Sequence, residues 1–447
     1  MPADRAPEIP DFIAELEWRG LLKDCTDEDG LREHLSVRPR LAYCGFDPTA
    51  DSLTIGNLVP IMCLRHFQRA GHKPIAVMGG GTGLIGDPSG KSAERQLKTK
   101  ETVQRHIDFQ RPIFEALLDF DVEDDRRPEI VNNIDWLESA RYIDMLRDVG
   151  KHFRVNEMVK RDSVRDRLDR EQGISYTEFS YMILQAYDFL RLYEDRGVTV
   201  QLGGSDQYGN IVSGCDLIRR ATTEPGDEDK DEKAFGLTNR LVTKADGGKF
   251  GKTESGAIWL TDASGGREVG TSPYAYYQFW LNTTDADIPR FLRFFTEMTR
   301  EEVEALEAAH AEAPGKREAQ KRLAEEATWL LHGRDKLDRA IAASRALFSG
   351  DLADLSESEL KEVLAEVPSS DHAKDRLGAG LDPVELLVET GLAKSKREAR
   401  EFVASGSVSV NGRKLAEGDA VGSGDLLHGS MIAIRRGKKA WHLTRWG

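Results

Sequence analysis

The chain has 447 residues, of which 39% are hydrophobic and 31% charged, and its formal net charge is −15. This length suits two or three domains, and no apolar run reaches the roughly 18 residues that a membrane-spanning helix needs. Residues 1–12 lack the apolar core of a secretory signal. The four cysteines show no CxxC spacing, so we predict reduced thiols in a cytoplasmic protein, with no zinc site and no disulfide: Cys25, Cys44, Cys63 and Cys215.

The charge is unevenly distributed along the chain. Residues 381–447 contain eleven Lys and Arg against eight Asp and Glu, a net of +3, so residues 1–380 carry −18. Because phosphate binding needs cations, the acidic body alone argues against a nucleic-acid partner. A basic tail on an acidic body nevertheless fits an RNA-binding appendage on an enzyme.

The first informative stretch is a strand followed by a turn and a helix. Residues 8–35 predict two short helices, residues 41–46 (LAYCGF) a buried strand, and residues 57–69 an apolar helix. Thr54 is of N-cap type, and Pro60 in the first turn needs no partner for its missing N–H. A helix N-terminus beside a loop of small residues makes an anion site, and an ordinary strand-to-helix connection is the alternative.

A second strand, residues 73–78 (KPIAVM), leads into a glycine-rich loop at residues 79–91. The loop lacks the spacing of the phosphate-loop motif GxxxxGK[ST]. Residues 81–86 match the dinucleotide-binding motif GxGxxG, but Pro88 would break the helix that such a site needs. We predict that the glycines pack against a small molecule and that Asp87 offers a carboxylate to its ammonium group. Strands alternating with helices predict an α/β fold with a parallel sheet and ligands at its carboxyl edge.

Residues 101–170 read as mostly helical, and residues 177–190 predict a buried helix. On that helix Tyr181, Gln185 and Asp188 stand at i, i+4 and i+7, so they form one polar stripe. Such a stripe is either an internal hydrogen-bond network or the polar wall of a ligand pocket.

A further strand and a polar loop are predicted at residues 198–207, and a helical stretch at residues 273–367. Between them, residues 249–253 (KFGKT) place two lysines in a glycine-rich run. These lysines can close over a polyphosphate, and a surface turn is the alternative.

Several separated motifs fit one template. Residues 54–57 (TIGN) resemble the HIGH element, and residues 249–253 the KMSKS loop, of class I aminoacyl-tRNA synthetases. Further pieces resemble the bacterial tyrosyl-tRNA synthetases: YCGFDPT at 43–49, GDPSG at 86–90, YMILQAYD at 181–188, GSDQ at 204–207, and an S4-like stretch at 392–412. The resemblance covers nearly the whole chain, and the combination is more specific than any one piece.

The resemblance implies a role for each candidate residue. The tyrosine substrate would be bound by Tyr43, Asp87, Tyr181, Gln185, Asp188 and Gln207, with Tyr43 and Asp188 at the phenol. ATP would be bound by Cys44, Asp47, Thr54, Asn57, Gly204, Asp206 and Lys252. The reacting phosphates would face Thr49, Thr54, Asn57, Lys91, Arg95, Lys249, Lys252 and Thr253.

The same resemblance implies a tyrosine–tRNA ligase, which joins tyrosine to ATP as tyrosyl-adenylate and then transfers tyrosine to the 3′ end of tRNA(Tyr). It also implies a homodimer with Tyr176 at the contact, and Mg²⁺ that accompanies ATP rather than occupying a protein metal site. The tyrosine carboxylate attacks without a general base, so catalysis is positioning plus charge neutralisation. HIGH is TIGN here, and neither Thr54 nor Asn57 can become a cation, so we predict a slower activation step.

The sequence pattern predicts a helical domain at residues 270–367 and a linker at residues 368–380. The resemblance implies a Rossmann-like catalytic domain at residues 1–265 and an S4-like RNA-binding domain at residues 381–447. The competing hypothesis is an RNA-binding protein that kept this fold and lost the chemistry. A tryptophanyl-tRNA synthetase fits less well, because Tyr43 and Asp188 suit a phenol better than an indole N–H.

Overall fold

The computed structural model describes residues 10–87, 97–161, 164–165, 168, 173–223, 234–245, 247, 250–253, 256–349, 352–365, 367–378, 380–437 and 440–447. Contacts divide the chain into two compact units. The first unit contains residues up to 271 and residues 280–331, and the C-terminal unit contains residues 272–279 and 332–447. No helix among the described residues is both long and apolar enough to cross a membrane.

The first unit is built on a six-stranded sheet. Its strands are β1 (Leu22–Cys25), β2 (Leu41–Phe46), β3 (Lys73–Met78), β4 (Glu129–Asn132), β5 (Val200–Gly204) and β6 (Phe235–Asn239). They lie in the order β1-β6-β5-β2-β3-β4, and only β1 runs antiparallel to its neighbour. The order reverses between β2 and β5, and ligands of open α/β sheets bind in the crevice at such a point. The predicted α/β fold with a parallel sheet is confirmed.

Helices cover the sheet and extend beyond it. Those up to β6 are α1 (Phe12–Arg19), α2 (Glu28–Val37), α3 (Leu58–Arg69), α4 (Thr82–Ile85), α5 (Lys100–Leu117), α6 (Ile134–Leu137), α7 (Tyr142–Asp144), α8 (Val155–Met158), α9 (Tyr176–Arg196) and α10 (Tyr208–Thr222). The apolar helix predicted from residue 57 is α3, and the helix predicted to carry the polar stripe is α9.

Two stretches differ from their sequence-based prediction. Within residues 8–35, α1 ends at Gly20 and the next residues form β1, because they pair with β6. Within residues 101–170, the sheet-edge strand β4 interrupts the predicted helices. Both strands are four residues long, which is too short for a hydrophobic period to show.

The helical stretch after the sheet contains α11 (Pro273–Leu281), α12 (Ile288–Phe295), α13 (Arg300–Glu312) and α14 (Glu318–Ser349), and a two-stranded ribbon, β7 (Lys252–Thr253) with β8 (Gly256–Ala257), precedes it. Gly333, with φ of 80°, interrupts α14. The structure therefore divides the predicted helical domain: residues 280–331 belong to the first unit and residues 332–367 to the C-terminal unit.

The C-terminal unit contains α15 (Glu357–Val363), α16 (Pro383–Glu389) and α17 (Lys396–Ala404) and a five-stranded sheet. Its strands are β9 (Ser369–His372), β10 (Val408–Val410), β11 (Arg413–Lys414), β12 (Met431–Arg436) and β13 (Ala440–Trp446), in the order β11-β10-β12-β13-β9. The segment predicted as a linker, residues 368–380, thus contains a strand. This strand, β9, pairs in parallel with β13.

Candidate active site

A cavity of about 530 Å³ opens in the first unit at the carboxyl ends of β2, β5 and β6. Its wall includes every residue predicted to bind tyrosine: Tyr43, Asp87, Tyr181, Gln185, Asp188 and Gln207. It also includes seven of those predicted for ATP and its phosphates: Cys44, Asp47, Thr49, Thr54, Asn57, Gly204 and Asp206. Residues far apart in sequence therefore meet in one cavity, as parallel strands predict.

The wall of this cavity includes a buried phenol and a buried carboxylate. Tyr43 on β2 is 1% exposed and Asp188 on α9 is 4% exposed. Trp136 Nε1 donates to Asp188 Oδ1 at 2.7 Å, and Asn133 Nδ2 donates to Oδ2 at 2.9 Å. The Tyr43 hydroxyl has no hydrogen-bond partner among the described residues. The arrangement is ready to receive a further hydroxyl group.

Burial controls the charge at this end. It raises the pKa of Asp188 from 3.8 to about 7, although the bonds from Asn133 and Trp136 oppose that rise. Burial, with the nearby Asp188 charge, also raises the pKa of the Tyr43 phenol well above its usual range. Tyr43 therefore stays a neutral hydroxyl at pH 7, while Asp188 changes charge near that pH.

A hydrogen-bond network joins this end to the loop after β2. Asn133 Nδ2 also donates to Thr82 Oγ1 at 3.0 Å, and the Thr82 hydroxyl donates to Asp47 Oδ1 at 2.9 Å. The Tyr181 hydroxyl donates to Asp47 Oδ2 at 3.0 Å. Asp47 was predicted on the ATP side, but its carboxylate is hydrogen-bonded to a residue of the tyrosine set.

A second network holds the carboxylate predicted for the ammonium group. Gln207 Nε2 donates to Asp87 Oδ2 at 2.8 Å and, at 3.3 Å, to Asp206 Oδ2. Asn210 Nδ2 donates to Gln185 Oε1 at 3.0 Å and to Gln207 Oε1 at 3.2 Å. One amide thus fixes the orientation of both glutamines, so their polar ends are positioned before any ligand enters.

The turn before α3 carries the TIGN motif. The backbone N–H and the hydroxyl of Thr54 both donate to Asn57 Oδ1, at 3.1 and 3.0 Å. Because the carbonyl end of Asn57 is used in this way, its NH₂ group is the end left to donate to a ligand. This donor stands at the N-terminus of a twelve-residue helix, whose dipole favours an anion.

Gly251 of the KFGKT motif lies against the same turn. Gly251 has a φ of 75°, and a Cβ at this position would collide with Ile55, so only glycine lets the loop approach this closely. The Ile258 N–H donates to the Gly251 carbonyl, and the Ile55 N–H donates to the Ile258 carbonyl, both at 2.9 Å. The two motifs, almost 200 residues apart, are thus joined by backbone hydrogen bonds.

Some predicted residues cannot be assigned to the cavity. Lys91, Arg95 and Lys249 lie outside the described residues. Lys252 and Thr253 form β7, for which the structure gives backbone pairing with β8 and no side-chain positions.

The TIGN and KFGKT motifs, which lie together in the structure, agree with the protein family that the sequence matches. Residues 36–349 match the model of the class I tRNA synthetases (W and Y). The chain belongs to this family. Residues 359–444 match the tyrosine–tRNA ligase SYY-like C-terminal domain.

The matches of this class I synthetase to individual relatives cover nearly its whole length. It is 52% identical to the tyrosine–tRNA ligase of Geobacillus kaustophilus, over 98% of this chain and 100% of the relative. It is 49% identical to the tyrosine–tRNA ligase of Aliivibrio fischeri strain MJ11, over 98% of this chain and 99% of the relative. A solved structure, a C-terminally truncated mitochondrial tyrosyl-tRNA synthetase of Aspergillus nidulans, superposes with a TM-score of 0.67 at 29% identity, covering 77% of this chain and 95% of that one.

The polar residues of this synthetase's site that the sequence analysis does not single out include Thr82, Asn133, Trp136 and Asn210. Asn133 and Trp136 follow β4, a four-residue strand too short for the sequence pattern to indicate, so the sequence does not mark them as residues at a strand end. Thr82 lies between two glycines of the loop at residues 79–91, where the sequence gives no sign of its hydrogen-bonding role. Asn210 lies on α10, where the sequence pattern gives no signal.

Proposed function

We propose that this synthetase is a tyrosine–tRNA ligase. The observation that carries the proposal is the buried pair Tyr43 and Asp188 in the cavity beside which the TIGN turn and the KFGKT loop meet. A phenol hydroxyl can donate to the Asp188 carboxylate and accept from the Tyr43 hydroxyl. Phenylalanine would leave the buried Tyr43 hydroxyl without a partner and would make no hydrogen bond to Asp188, which disfavours its binding.

In the first step, a carboxylate oxygen of tyrosine attacks the α-phosphorus of ATP. A new oxygen–phosphorus bond forms, the bond to the bridging oxygen breaks, and pyrophosphate leaves with the electron pair. Asp87, with Tyr181 and Gln185, would hold the tyrosine ammonium group and so aim the carboxylate. The α3 N-terminus and the loop lysines would neutralise charge growing on pyrophosphate. Mg²⁺ would enter bound to ATP, because it prefers phosphate oxygens and water.

In the second step, a hydroxyl of the terminal ribose of tRNA(Tyr) attacks the activated carbonyl, and AMP leaves. The C-terminal unit would bind the tRNA through its basic surface, since α17 and the turn before it present four exposed cations. Lys396 is paired with Glu385, and the other three are Lys394, Arg397 and Arg400. A cytoplasmic location is part of the proposal, because ATP and tRNA meet there.

Alanine substitution of Lys394, Arg397 and Arg400 together tests that binding surface. We expect kcat/KM for tRNA to fall about 10- to 100-fold and its salt dependence to weaken, because phosphate contacts are lost. Tyrosine activation, which involves no RNA, should not change. The control is alanine at three exposed cations of α14: Arg334, Lys336 and Arg339. Equal effects of the two triple variants on charging would contradict the assignment.

The pKa of Asp188 gives the activation step a pH dependence. Because an ionised carboxylate accepts a stronger hydrogen bond from a phenol than a neutral acid does, we expect kcat/KM for tyrosine to fall as pH drops through about 7. In Asp188→Asn this step in the profile should disappear. The pH profile of ATP–pyrophosphate exchange, measured at saturating ATP for both proteins, checks the expectation. A profile of unchanged shape in the variant would assign the titration to another group.

The raised pKa of Asp188 also makes the stability of the fold depend on pH, in the opposite direction to its effect on tyrosine activation. The pKa of Asp188 is higher in the folded state than its ordinary value, so the folded chain binds the proton more tightly than the unfolded chain. This group therefore favours folding below its ordinary pKa, and the benefit is lost as pH rises towards about 7.

The dimer contact is supported by exposed apolar side chains in residues 142–176. Tyr142, Ile143 and Tyr176 are 63%, 69% and 61% exposed, and the two tyrosine hydroxyls lie 3.5 Å apart. A cluster of exposed apolar side chains marks a protein–protein contact, whereas a single one such as Val37 does not. We expect Ile143→Asp to give the mass of one chain, 49.9 kDa, in light scattering, where the unaltered protein gives twice that. The control Val37→Asp, at a 68% exposed residue of α2, should stay dimeric.

Aminoacylation tests the proposed function directly. The purified protein, given ATP, Mg²⁺ and tRNA(Tyr), should form an alkali-labile ester with tyrosine and none with phenylalanine or tryptophan. Ester formation with tryptophan in preference to tyrosine would overturn the proposal.

A further inference from the structure

A buried carboxylate to which the proposed reaction gives no part lies in the turn after β2. Asp51 is 2% exposed and stands outside the wall of the cavity. It follows Asp47 and Thr49, both of which line the cavity. Because an ionised carboxylate that is taken out of water needs partners, the groups that face Asp51 show what it holds in place.

Helix α5 supplies two of these partners. The Arg105 guanidinium donates to both oxygens of the carboxylate, at 3.0 and 2.9 Å, and His106 Nε2 lies 3.4 Å from Oδ1. The same histidine donates through Nδ1 to the Pro48 carbonyl at 2.9 Å, and Gln110 Nε2 donates to the Ala50 carbonyl at 2.7 Å. Helix α5 therefore holds this turn through its backbone as well as through the carboxylate.

The third partner belongs to the segment that follows the KFGKT motif. The Glu268 N–H donates to Asp51 Oδ2 at 2.8 Å, and the Glu268 carboxylate accepts from Arg105 at 2.7 Å. Burial raises the pKa of the Asp51 carboxyl, but the bonds from Arg105 and from this N–H outweigh it and hold the pKa below 3.8. Asp51 is thus ionised at neutral pH, and its charge joins two segments that lie 217 residues apart in sequence.

The segment that contains Glu268 also forms the base of the KFGKT motif. Residues 258–261 run antiparallel to residues 52–55, and the Leu260 N–H donates to the Leu53 carbonyl at 2.9 Å. A short two-stranded ladder is only marginally stable by itself. The carboxylate stands directly before the first residue of this ladder, so its bonds anchor the end of the pairing between the TIGN turn and the base of the KFGKT motif.

A tight loop connects Glu268 back to this ladder. The Thr271 N–H donates to the Thr261 carbonyl at 2.8 Å, which closes the loop. Within it, a Cβ on Gly270 would collide with the backbone of residues 262–263, so only glycine allows the two arms to lie this close. Fixing Glu268 therefore also restrains Thr261, the last residue of the ladder.

We propose that Asp51 is a positioning residue for tyrosine activation. Together with Arg105 and Glu268 it holds the turn after β2, the TIGN turn and the base of the KFGKT motif in one arrangement, and so sets where the phosphate-facing groups stand before ATP enters. A misplacement of reacting groups by about 1 Å can slow a reaction roughly a hundredfold. The inference rests on the proposed function and adds to it a residue that touches neither tyrosine nor ATP.

The test is single-turnover formation of tyrosyl-adenylate by the full-length protein. In Asp51→Asn we expect the rate constant to fall about ten- to hundredfold, while the dissociation constant of tyrosine stays within about twofold. Arg105→Ala should show the same split, and its side chain is 43% exposed, so this variant decides the matter if Asp51→Asn does not fold. Arg105→Lys should recover part of the loss, because one charged bond remains. The double variant should be no slower than Asp51→Asn alone, since both changes break one contact.

The matched control is Glu297→Gln. Glu297 and Arg65 form another buried ion pair of this unit, with both bonds at 2.7 Å and side-chain exposures of 13% and 16%, and neither residue lines the cavity. We expect Glu297→Gln and Asp51→Asn both to lower the midpoint of thermal unfolding, but only Asp51→Asn to slow adenylate formation. The control thereby separates lost stability from lost positioning.

Three results would overturn the inference. They are an unchanged adenylation rate in the Asp51 or Arg105 variants, equal slowing in the control, and weakened tyrosine binding in step with the rate. Absence of adenylate formation in the unaltered protein would instead overturn the proposed function, so the two failures are distinguishable.

Discussion

Replacing Asp188 with asparagine should reduce kcat/KM for tyrosine roughly a hundredfold or more. Both carboxylate oxygens accept from neighbouring donors, Trp136 Nε1 and Asn133 Nδ2. In the variant, one oxygen becomes an NH₂ group that faces a donor. In the tyrosine complex, the buried hydrogen bond from the substrate phenol to a charged acceptor is therefore lost, and a donor is left unpaired. This loss costs about 3 kcal/mol of binding to the substrate.

The measurement is ATP–pyrophosphate exchange with tyrosine and with phenylalanine, for both proteins. Because phenylalanine makes no bond to Asp188, its much lower kcat/KM should change far less, so the preference for tyrosine should shrink. The matched control is Asp195→Asn, at a 49% exposed aspartate of the same helix, paired with Arg191. A preference for tyrosine as large in Asp188→Asn as in the unaltered protein would contradict the assignment of the phenol site.

Replacing Lys252 with alanine should slow tyrosine activation about a hundredfold while tyrosine binding is unchanged. Lys252 follows Gly251, whose backbone is joined through Ile258 to the turn before α3. A lysine in this loop can neutralise charge that appears on pyrophosphate only as the phosphorus–oxygen bond breaks. Removing such a contact lowers kcat and leaves the KM for tyrosine unaffected.

Single-turnover formation of tyrosyl-adenylate, with a separate tyrosine titration, separates these two effects. Lys316→Ala, at an exposed lysine of the turn Pro314–Lys316, serves as the control. If Lys252→Ala weakened tyrosine binding and left the adenylation rate intact, the lysine would have a ground-state role and the electrostatic account of catalysis would fail.

The parts of the site that sit on periodic elements could be predicted from sequence. Tyr181, Gln185 and Asp188 repeat at helical spacing on α9, and residues after β2, β3 and β5 reach the same sheet edge in any parallel sheet. These predictions need only the local sequence pattern and the knowledge that the strands run parallel.

Partners supplied by short or aperiodic segments could not be predicted. Asn133 and Trp136 follow β4, whose four residues form a strand because β3 lies beside them. Asn210 orients two glutamines from a helix position that carries no local signal. Which donor meets which acceptor is decided by tertiary packing, so the network around Asp188 emerges only from the folded chain.

Tyrosine-dependent ATP–pyrophosphate exchange on the unaltered protein tests the central claim most directly. We expect exchange with tyrosine, and none with tryptophan or phenylalanine at the same concentration. That result would establish the reaction and the phenol-reading pocket together. Tyrosine binding without exchange at any potassium chloride concentration would contradict the account, and the alternative of an RNA-binding protein that kept this fold and lost its chemistry would replace it.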